Sequence, residues 1–377
     1  MASISYFIPR TFIPYNMLPM KSALREHIHR VACRARAFYA AKEPGHFLLA
    51  THFPVASPPV PPLYQFDLDR QLGEWLDHKL AAARPAWRAR EGLDDDFIPS
   101  ICPSFGIAEH SAWLGMEVLL QDDTCLPVPV LDSPDDLARL ALSPRNRWFQ
   151  HMQLGYEHLR RRQDGSFVLN VRGTMAPMDI ANAVRGNALF TDFLDDPAAT
   201  GRLMRFLVTA IQWYYDQLVS WADAVEGGHV FRHIGSWMEG RCLGHLSNDA
   251  AMLCSTAVYD EFGFPYERDL IDRYESAIYH VHNEKLHYVP RLAGLPKLAL
   301  LEVAHDPKTP PLLTDLPRIF AATGSVALRL AGTSDQVRAH LEELRRRKVF
   351  LLADCRDRTD AEDLIRFVRD RSTQASL

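Results

Sequence analysis

The stretch Ala277-Ile-Tyr-His-Val-His282 predicts a short buried strand that ends in two histidines. Residues i and i+2 of a strand point to the same face, so we expect His280 and His282 to face one point. Two later apolar runs, at residues 298–302 and 349–355, end in the carboxylate of Glu302 and the thiol of Cys355. Imidazole, carboxylate and thiolate are all zinc ligands, so these strand ends together predict a metal site.

Apolar runs of strand length recur along the whole chain and alternate with segments of helical spacing. The predicted strands lie at residues 46–53, 97–104, 167–172, 229–234, 277–282, 298–303, 325–330 and 349–354. This alternation is typical of an α/β protein with a parallel (β/α)8 TIM barrel, whose active-site groups lie at the carboxyl ends of the strands. An open doubly wound sheet is the competing fold, but no GxGxxG or Walker loop follows the early strands.

Length and composition indicate one large globular unit. The 377 residues are 47% hydrophobic and 24% charged, which supplies ample material for a core. We expect an N-terminal arm at residues 1–45, with a helix over 21–42 that packs on the barrel. A single catalytic barrel is expected at 46–377, with an excursion near 106–165.

The charge and cysteine patterns exclude several classes of protein. The net charge of -5 and the scattered Lys and Arg residues leave no basic face for nucleic acid. Six separated cysteines without a CxxC pair are typical of a reducing compartment. The first twenty residues contain three prolines and lack the order of a signal peptide or the length of a membrane span. We therefore expect a cytoplasmic protein that acts on a small molecule and binds no membrane; a homodimer is left open.

Several stretches, in their order and spacing, resemble the uroporphyrinogen decarboxylase-like superfamily from about residue 30 onward. They lie at residues 106–115, in Ser133-Pro-Asp-Asp-Leu137, in Ala183-Val-Arg-Gly186 with residues 192–197, in Leu246-Ser-Asn-Asp249 through residue 266, and in the strand that ends in His280. The superfamily includes coenzyme M and related corrinoid-linked methyltransferases and, more distantly, the catalytic barrel of cobalamin-independent methionine synthase. The resemblance implies the same barrel fold.

The resemblance also implies a zinc site. Zinc methyltransferases of this superfamily carry a His-x-Cys pair on one strand and a second Cys later in the chain, and methionine synthase adds a Glu between them. His280, Glu302 and Cys355 match these positions, while His282 stands where the family has cysteine. Zinc accepts imidazole as well as thiolate, and the change makes the metal a stronger Lewis acid. Iron, nickel and copper stay open as alternatives, because two His and one Glu also resemble a non-haem iron site.

Three functions follow from this resemblance. The leading one is a zinc methyltransferase that activates a thiol or similar nucleophile, with a methylcorrinoid protein as the donor and partner. The second is a metal-dependent lyase, decarboxylase or hydrolase that acts on a small carboxylated substrate. The third is a non-catalytic metal-binding or ligand-binding barrel. Tetrapyrrole decarboxylation is disfavoured, because residues 1–57 hold nothing like the Met-Arg-Gln-Ala-Gly-Arg stretch of the decarboxylases.

Other polar residues near predicted strand ends are candidates for catalysis or substrate binding. A carboxylate in this position could instead cap a helix, and rim Arg and Trp residues are often structural. The catalytic candidates are Asp249, His233 and Arg172, and the substrate-binding candidates are Arg241, Trp237 and His52.

Overall fold

The computed structural model describes residues 20–121, 124–232 and 235–373. The helix predicted over residues 21–42 is observed as α1, at Ser22–Ala40. None of the helices in the described ranges is both long and apolar enough to cross a bilayer. The α-helices are α1 Ser22–Ala40, α2 Leu68–Ala89, α3 Arg147–Arg161, α4 Pro177–Arg185, α5 Leu189–Asp195, α6 Pro197–Trp221, α7 Thr256–Phe262, α8 Phe264–Asp272, α9 Val289–Ala293, α10 Leu316–Thr323, α11 Ser334–Leu344 and α12 Arg358–Arg369.

Strands in the described residues form one parallel six-stranded sheet and three small sheets. The order in the large sheet is β1-β13-β12-β11-β10-β9, and all of its pairings are parallel. The carboxyl ends of these six strands therefore lie at the same end of the sheet. The strands are β1 Phe47–His52, β2 Ser100–Ile101, β3 Val118–Leu120, β4 Cys125–Pro127, β5 Val168–Leu169, β6 Ala224–Val225, β7 Gly228–Phe231, β8 Ser236–Glu239, β9 Cys242–Ser247, β10 Ser276–His282, β11 Leu298–Ala304, β12 Ala327–Thr333 and β13 Val349–Asp354.

The strands of the large sheet are apolar on both faces, as expected where helices cover a parallel sheet. In β10 every residue from Ala277 to Val281 is buried. Polar residues just beyond the strands start the next helices. Thr333 ends β12 and caps α11 in a capping box with Gln336, and Asp357 caps α12 three residues after β13. The sequence thus specifies where strand gives way to helix.

Side-chain carboxylates continue the hydrogen bonding beyond the β1 edge of the sheet. The amide of Leu49 donates to Asp96 at 2.7 Å, and the amide of Thr51 donates to Asp95 at 2.8 Å. These carboxylates occupy the place of a neighbouring strand's carbonyl groups. The chain then enters β2, which pairs with β5 in parallel.

At the other edge, the segment after β5 bonds to β9. Thr174 donates its amide to the carbonyl of His245 at 3.1 Å, and Ala176 donates to Ser247 at 2.7 Å. The two contacts advance together along both segments, which is the parallel arrangement. The assigned strands do not by themselves form a closed barrel.

The region predicted as a fourth parallel strand, at residues 229–234, is built differently. β7 belongs to an antiparallel meander of β6, β7 and β8, and β9 takes the place expected for it in the large sheet. Glu226 and Gly227 both have positive φ, 52° and 76°, and their turn reverses the chain between β6 and β7. Local turn geometry therefore decided the pairing of β7, although its residue Phe231 still bridges Val171 in parallel.

The excursion expected near residues 106–165 contains short elements. β3 and β4 form an antiparallel hairpin, and 3-10 helices lie at Ile107–His110, Ala112–Leu114 and Leu137–Arg139. The division of the chain into an arm at 1–45 and a barrel at 46–377 stays a prediction.

Candidate metal centre

A row of ionisable side chains crosses three neighbouring strands near the carboxyl ends of the strands. His280 on β10 is in register with Glu302 on β11, which is in register with Arg329 on β12. His280 Nδ1 lies 2.7 Å from Glu302 Oε2, and Arg329 forms an ion pair with the same carboxylate. Burial lowers the pKa of Arg329 to about 10, so the guanidinium stays charged at neutral pH and balances Glu302.

The neighbouring strand β9 adds a second imidazole. His245 Nε2 lies 3.5 Å from Glu302 Oε2, and the ring centres of His245 and His280 are 4.8 Å apart. All three residues are buried, and one ligand atom from each lies within 4.8 Å of the other two. Within the described ranges, His245, His280 and Glu302 are thus a group that could hold a metal ion.

His282 lies two residues beyond His280, and the two side chains are oriented by carboxylates in the same way. The Nδ1 atom of His282 is 2.8 Å from Asp306 Oδ1, as the Nδ1 atom of His280 is 2.7 Å from Glu302. A carboxylate oxygen only accepts, so each contact places hydrogen on Nδ1. Metal-binding histidines typically donate their second nitrogen to a carboxylate in this manner.

The two Nε2 atoms of His280 and His282 face each other across 3.3 Å. Burial, partly opposed by Asp249, lowers the pKa of His280 to about 4, so this imidazole is neutral at pH 7. Its Nε2 then presents a lone pair toward His282. Two tetrahedral ligands at about 2.05 Å from zinc are separated by about 3.3 Å, so the observed spacing fits a shared metal ion.

Asp249 lies beside the Nε2 atom of His282. Its Oδ1 atom is 3.5 Å from His282 Nε2 and accepts a hydrogen bond from Ser247 at 3.1 Å. Asp179 holds the backbone of this segment, because its carboxyl group accepts the amides of Asp249 at 2.9 Å and Ala250 at 2.7 Å. Burial, and then the charge of Asp249, raise the pKa of Asp179 well above its usual value.

The structure does not bring Cys355 to the histidines. In the described ranges its Sγ atom lies 3.7 Å from the carbonyl oxygen of Ala353, on its own strand. Cys355 follows β13, which β12 separates from β11 in the sheet. Burial, and then Asp360, raise the pKa of Cys355 to about 12, which keeps it a thiol at neutral pH.

Two of the predicted substrate-binding residues lie away from the carboxyl ends of the large sheet's strands. Arg241 immediately precedes β9, at the amino end of that strand, and forms two hydrogen bonds to Asp216 at 2.7 and 2.8 Å. Trp237 is buried in β8, where its indole donates to the carbonyl of Val225 at 2.8 Å. The guanidinium of Arg36 from α1 lies over its ring. Both side chains have structural contacts in these positions.

The other candidates have mixed placements. His52 ends β1 and is exposed, with Nδ1 3.4 Å from Asp354 Oδ1. Arg172 is buried three residues after β5 and pairs with Glu109. His233 lies outside the described residues. The structure therefore brings His280, His282, Glu302 and Asp249 together and leaves the remaining described candidates elsewhere.

Three residues of the centre were not expected from the sequence. His245 lies on β9, whose run Cys-Leu-Gly-His-Leu-Ser is not among the predicted strands. Arg329 lies inside the predicted strand at 325–330, but only strand register reveals its contact with Glu302. Asp306 follows β11 by two residues, and a carboxylate so soon after a strand was the available signal.

Comparison with known proteins shows a likeness of fold. No protein-family model and no curated protein matches this chain. A solved structure of a methyltransferase from Methanosarcina mazei is similar, with a TM-score of 0.54 and 10% sequence identity. The alignment covers 90% of this chain and 98% of the methyltransferase. At this identity the likeness concerns the fold.

Proposed function

We propose that this protein is a zinc-dependent methyltransferase that activates a thiol or a similar soft nucleophile. The observation that carries the proposal is the pair of Nε2 atoms of His280 and His282, 3.3 Å apart, each imidazole held through Nδ1 by a carboxylate. The likeness to a methyltransferase over most of both chains supports the choice of reaction.

The proposal includes a closed (β/α)8 barrel of the uroporphyrinogen decarboxylase-like kind. In it, β2 and β5 complete the ring between β1 and β9. The Asp95 and Asp96 contacts at the β1 edge support this closure, as do the backbone bonds from Thr174 and Ala176 at the β9 edge. The carboxyl ends of all eight strands would then surround one mouth, where this fold carries its active sites.

The proposed ligands are His280 Nε2, His282 Nε2 and Asp249 Oδ1. This set differs from the sequence prediction, because Asp249 is added and Cys355 is omitted. Glu302 accepts a hydrogen bond from His280 instead of binding the metal. Glu302 and Asp306 fix the tautomers of the two imidazoles, and Arg329 holds Glu302 in place. Three protein ligands leave a fourth position open, as in catalytic zinc sites. A zinc ion bound there would lower the pKa of an incoming thiol and hold it as the thiolate.

A second candidate function is metal-dependent hydrolysis or decarboxylation of a small carboxylated substrate. It is favoured by the absence of a thiolate among the proposed ligands, since nitrogen and oxygen ligands leave zinc a stronger Lewis acid. A methylcorrinoid protein as donor and a homodimeric state remain predictions from the sequence.

Metal analysis of the protein purified without added metal tests the site. We expect about one zinc per chain, since the proposal has a single set of three ligands. His282→Ala should lower zinc affinity by more than the roughly 10- to 100-fold typical of outer contacts. His287→Ala is the matched control, because His287 is exposed in the loop after β10 and bonds only to the carbonyl of Cys254 among described residues. Equal zinc binding in both variants would refute the ligand set.

The alternative ligand set of His245, His280 and Glu302 is tested in the same assay. In our proposal His245 supports Glu302 through a 3.5 Å contact and is no ligand, so His245→Gln should retain stoichiometric zinc. Loss of zinc in His245→Gln, with zinc retained in His282→Ala, would move the site to His245, His280 and Glu302.

The reaction is tested with the zinc-loaded protein. Free methylcobalamin serves as donor, small thiols serve as acceptors, and the thioether product is measured. Carbon dioxide release or hydrolysis without methyl transfer would favour the second candidate. A zinc-loaded protein without turnover on either substrate class would support a non-catalytic metal-binding barrel.

A further inference from the structure

A separate cluster of cationic side chains lies beyond β2 and β5. Lys79 of α2 donates to the carbonyl oxygen of Ser104, 2.7 Å away, three residues after β2. Its ammonium nitrogen also lies 4.6 Å from the ring centre of Trp75. These contacts direct Lys79 toward the carboxyl ends of the strands and leave it hydrogen-bond donors for a further partner.

Two arginines approach from the next strands. Arg172 follows β5, is buried, and is paired with Glu109. Val171 bridges Phe231, and the amide of Arg232 donates to the carbonyl of Val171 at 3.0 Å. The backbone therefore places Arg232 next to Arg172. The side chain of Arg232 is exposed.

The positive charges of this cluster outnumber the negative ones. Lys79 interacts electrostatically with Arg232, Glu109 and Arg172, and burial followed by the repulsion from Arg232 lowers the pKa of Lys79 to about 8. Glu109 is already paired with Arg172. Within residues 20–121, 124–232 and 235–373, neither Lys79 nor Arg232 has a carboxylate within ion-pair distance. A bound anion would relieve this repulsion.

The backbone that follows Arg172 is joined to β9, which carries His245. Gly173, the residue after Arg172, lies so close to His245 that a Cβ atom there would be 2.7 Å from the His245 amide nitrogen. Thr174 donates its amide to the carbonyl of His245. The segment that carries Arg172 therefore runs beside the strand that carries His245.

We propose that Lys79, Arg172 and Arg232 form an anion-binding site that takes an oxyanion group of the substrate, such as a carboxylate. The role as a substrate site rests on the proposed function, whereas the binding of the anion does not. In the proposed reaction the site would position a substrate whose nucleophilic atom lies at His280 and His282. The ammonium of Lys79 supplies hydrogen bonds and charge, and Arg232 closes over the anion from the exposed side.

Binding is measured by isothermal titration calorimetry on metal-free protein. The probes are propanoate, ethanesulfonate and methylphosphonate, with propanamide as the neutral analogue. We expect at least one anion to bind and propanamide not to bind, and the ranking of the three anions identifies the preferred oxyanion. Lys79→Met should weaken binding by about ten-fold or more, as expected for a lost hydrogen bond between charged groups.

Matched variants separate the site from general charge effects. Arg70→Met removes an exposed cation from the same helix, and its affinity should equal that of the wild type. Arg232→Met should weaken anion binding as Lys79→Met does. Because the side chain of Arg232 is exposed, the Arg232→Met variant should fold even if Lys79→Met is unstable. Lys79→Arg should retain binding. Failure of all three anions to bind, or wild-type affinity in Arg232→Met and Lys79→Met, would overturn the proposal.

The probes carry no thiol and the protein carries no metal, so this result is independent of methyl transfer. Anion binding without methyl transfer would retain the site and refute the proposed reaction. Methyl transfer to uncharged thiols by a protein that binds none of the anions would support the proposed reaction and refute the anion-binding site.

Discussion

Asp306→Asn tests the proposed ligand geometry with a minimal change. Asp306 Oδ1 accepts from His282 Nδ1 at 2.8 Å, and Oδ2 accepts the amide of Glu284 at 3.0 Å. The asparagine oxygen can still accept from His282, so the variant removes the charge and keeps the orientation. Its amide nitrogen would face the Glu284 amide, and that lost hydrogen bond costs about 1 kcal/mol of folding stability.

The magnitude follows from the distance between the carboxylate and the proposed metal. A zinc ion on His282 Nε2 would lie about 7 Å from Asp306 Oδ1, allowing about 2.05 Å for the zinc–nitrogen bond. At about 7 Å, a dication and one negative charge attract by about 1.2 kcal/mol in water and about 4.7 kcal/mol at an effective dielectric of 20. Asp306 is half-buried, so we expect zinc affinity to fall by about 10- to 100-fold, the usual effect of an outer carboxylate.

The assay is competition for zinc with a chromogenic chelator, after folding of the variant is checked by circular dichroism. Asp315→Asn is the control, because Asp315 is also half-buried but pairs with Arg318 and does not touch the histidines. Wild-type zinc affinity in a folded Asp306→Asn protein would refute the assignment of His282 as a ligand held by Asp306.

Three further predictions concern separate parts of the molecule. Cys355→Ser should retain full zinc content, and a chelator should expose no additional reactive thiol; loss of zinc would return Cys355 to the ligand set. Affinity of the cation cluster for propanoate should fall as pH rises through about 8, because Lys79 is charged below its pKa and neutral above it; an unchanged affinity up to pH 10 would exclude Lys79. Asp96→Asn should destabilise the fold by about 3–5 kcal/mol in urea unfolding, the cost of breaking a buried ion pair, since Arg34 and Arg369 each lose an ion pair with Asp96. Burial alone would raise the pKa of Asp96, but the charges of Arg369 and Arg34 outweigh burial and lower this pKa in the folded protein. The stabilisation is therefore fully present above about pH 4, the pKa of an aspartate in the unfolded chain. It is lost as the pH falls through the lower pKa of the folded protein. An unfolding free energy that has the same pH dependence in Asp96→Asn and the wild type would contradict this last expectation.

Three strands of the large sheet were predictable because their sequences satisfy two requirements at once. Residues 277–282, 298–303 and 349–354 are apolar enough to be buried on both faces, and each is followed by polar residues that end the strand. The i, i+2 rule then placed His280 and His282 on one face. The parallel arrangement placed Glu302 beside His280, in direct register.

The strands that were missed are those whose pairing depends on turns. β9 contains Gly244, and it follows the meander of β6, β7 and β8. The glycine-rich turns around that meander decide which segment enters the large sheet, and hydrophobicity alone does not distinguish β7 from β9. As a result His245 is not among the predicted residues, and Arg241, which follows a predicted strand that ends at residue 234, instead immediately precedes β9.

Cys355 shows what spacing along the chain does not determine about a ligand set. The sequence places a thiol at a strand end, and that placement is correct, because Cys355 directly follows β13. Its proximity to the histidines depends on sheet order, and β12 lies between β11 and β13. The neighbour of Glu302 on that side is therefore Arg329 of β12, a cation that would oppose a metal ion there. Because Arg329 occupies the side of Glu302 away from His280, a metal ion is favoured at the Nε2 side of His280, where His282 and Asp249 already face each other at 3.5 Å.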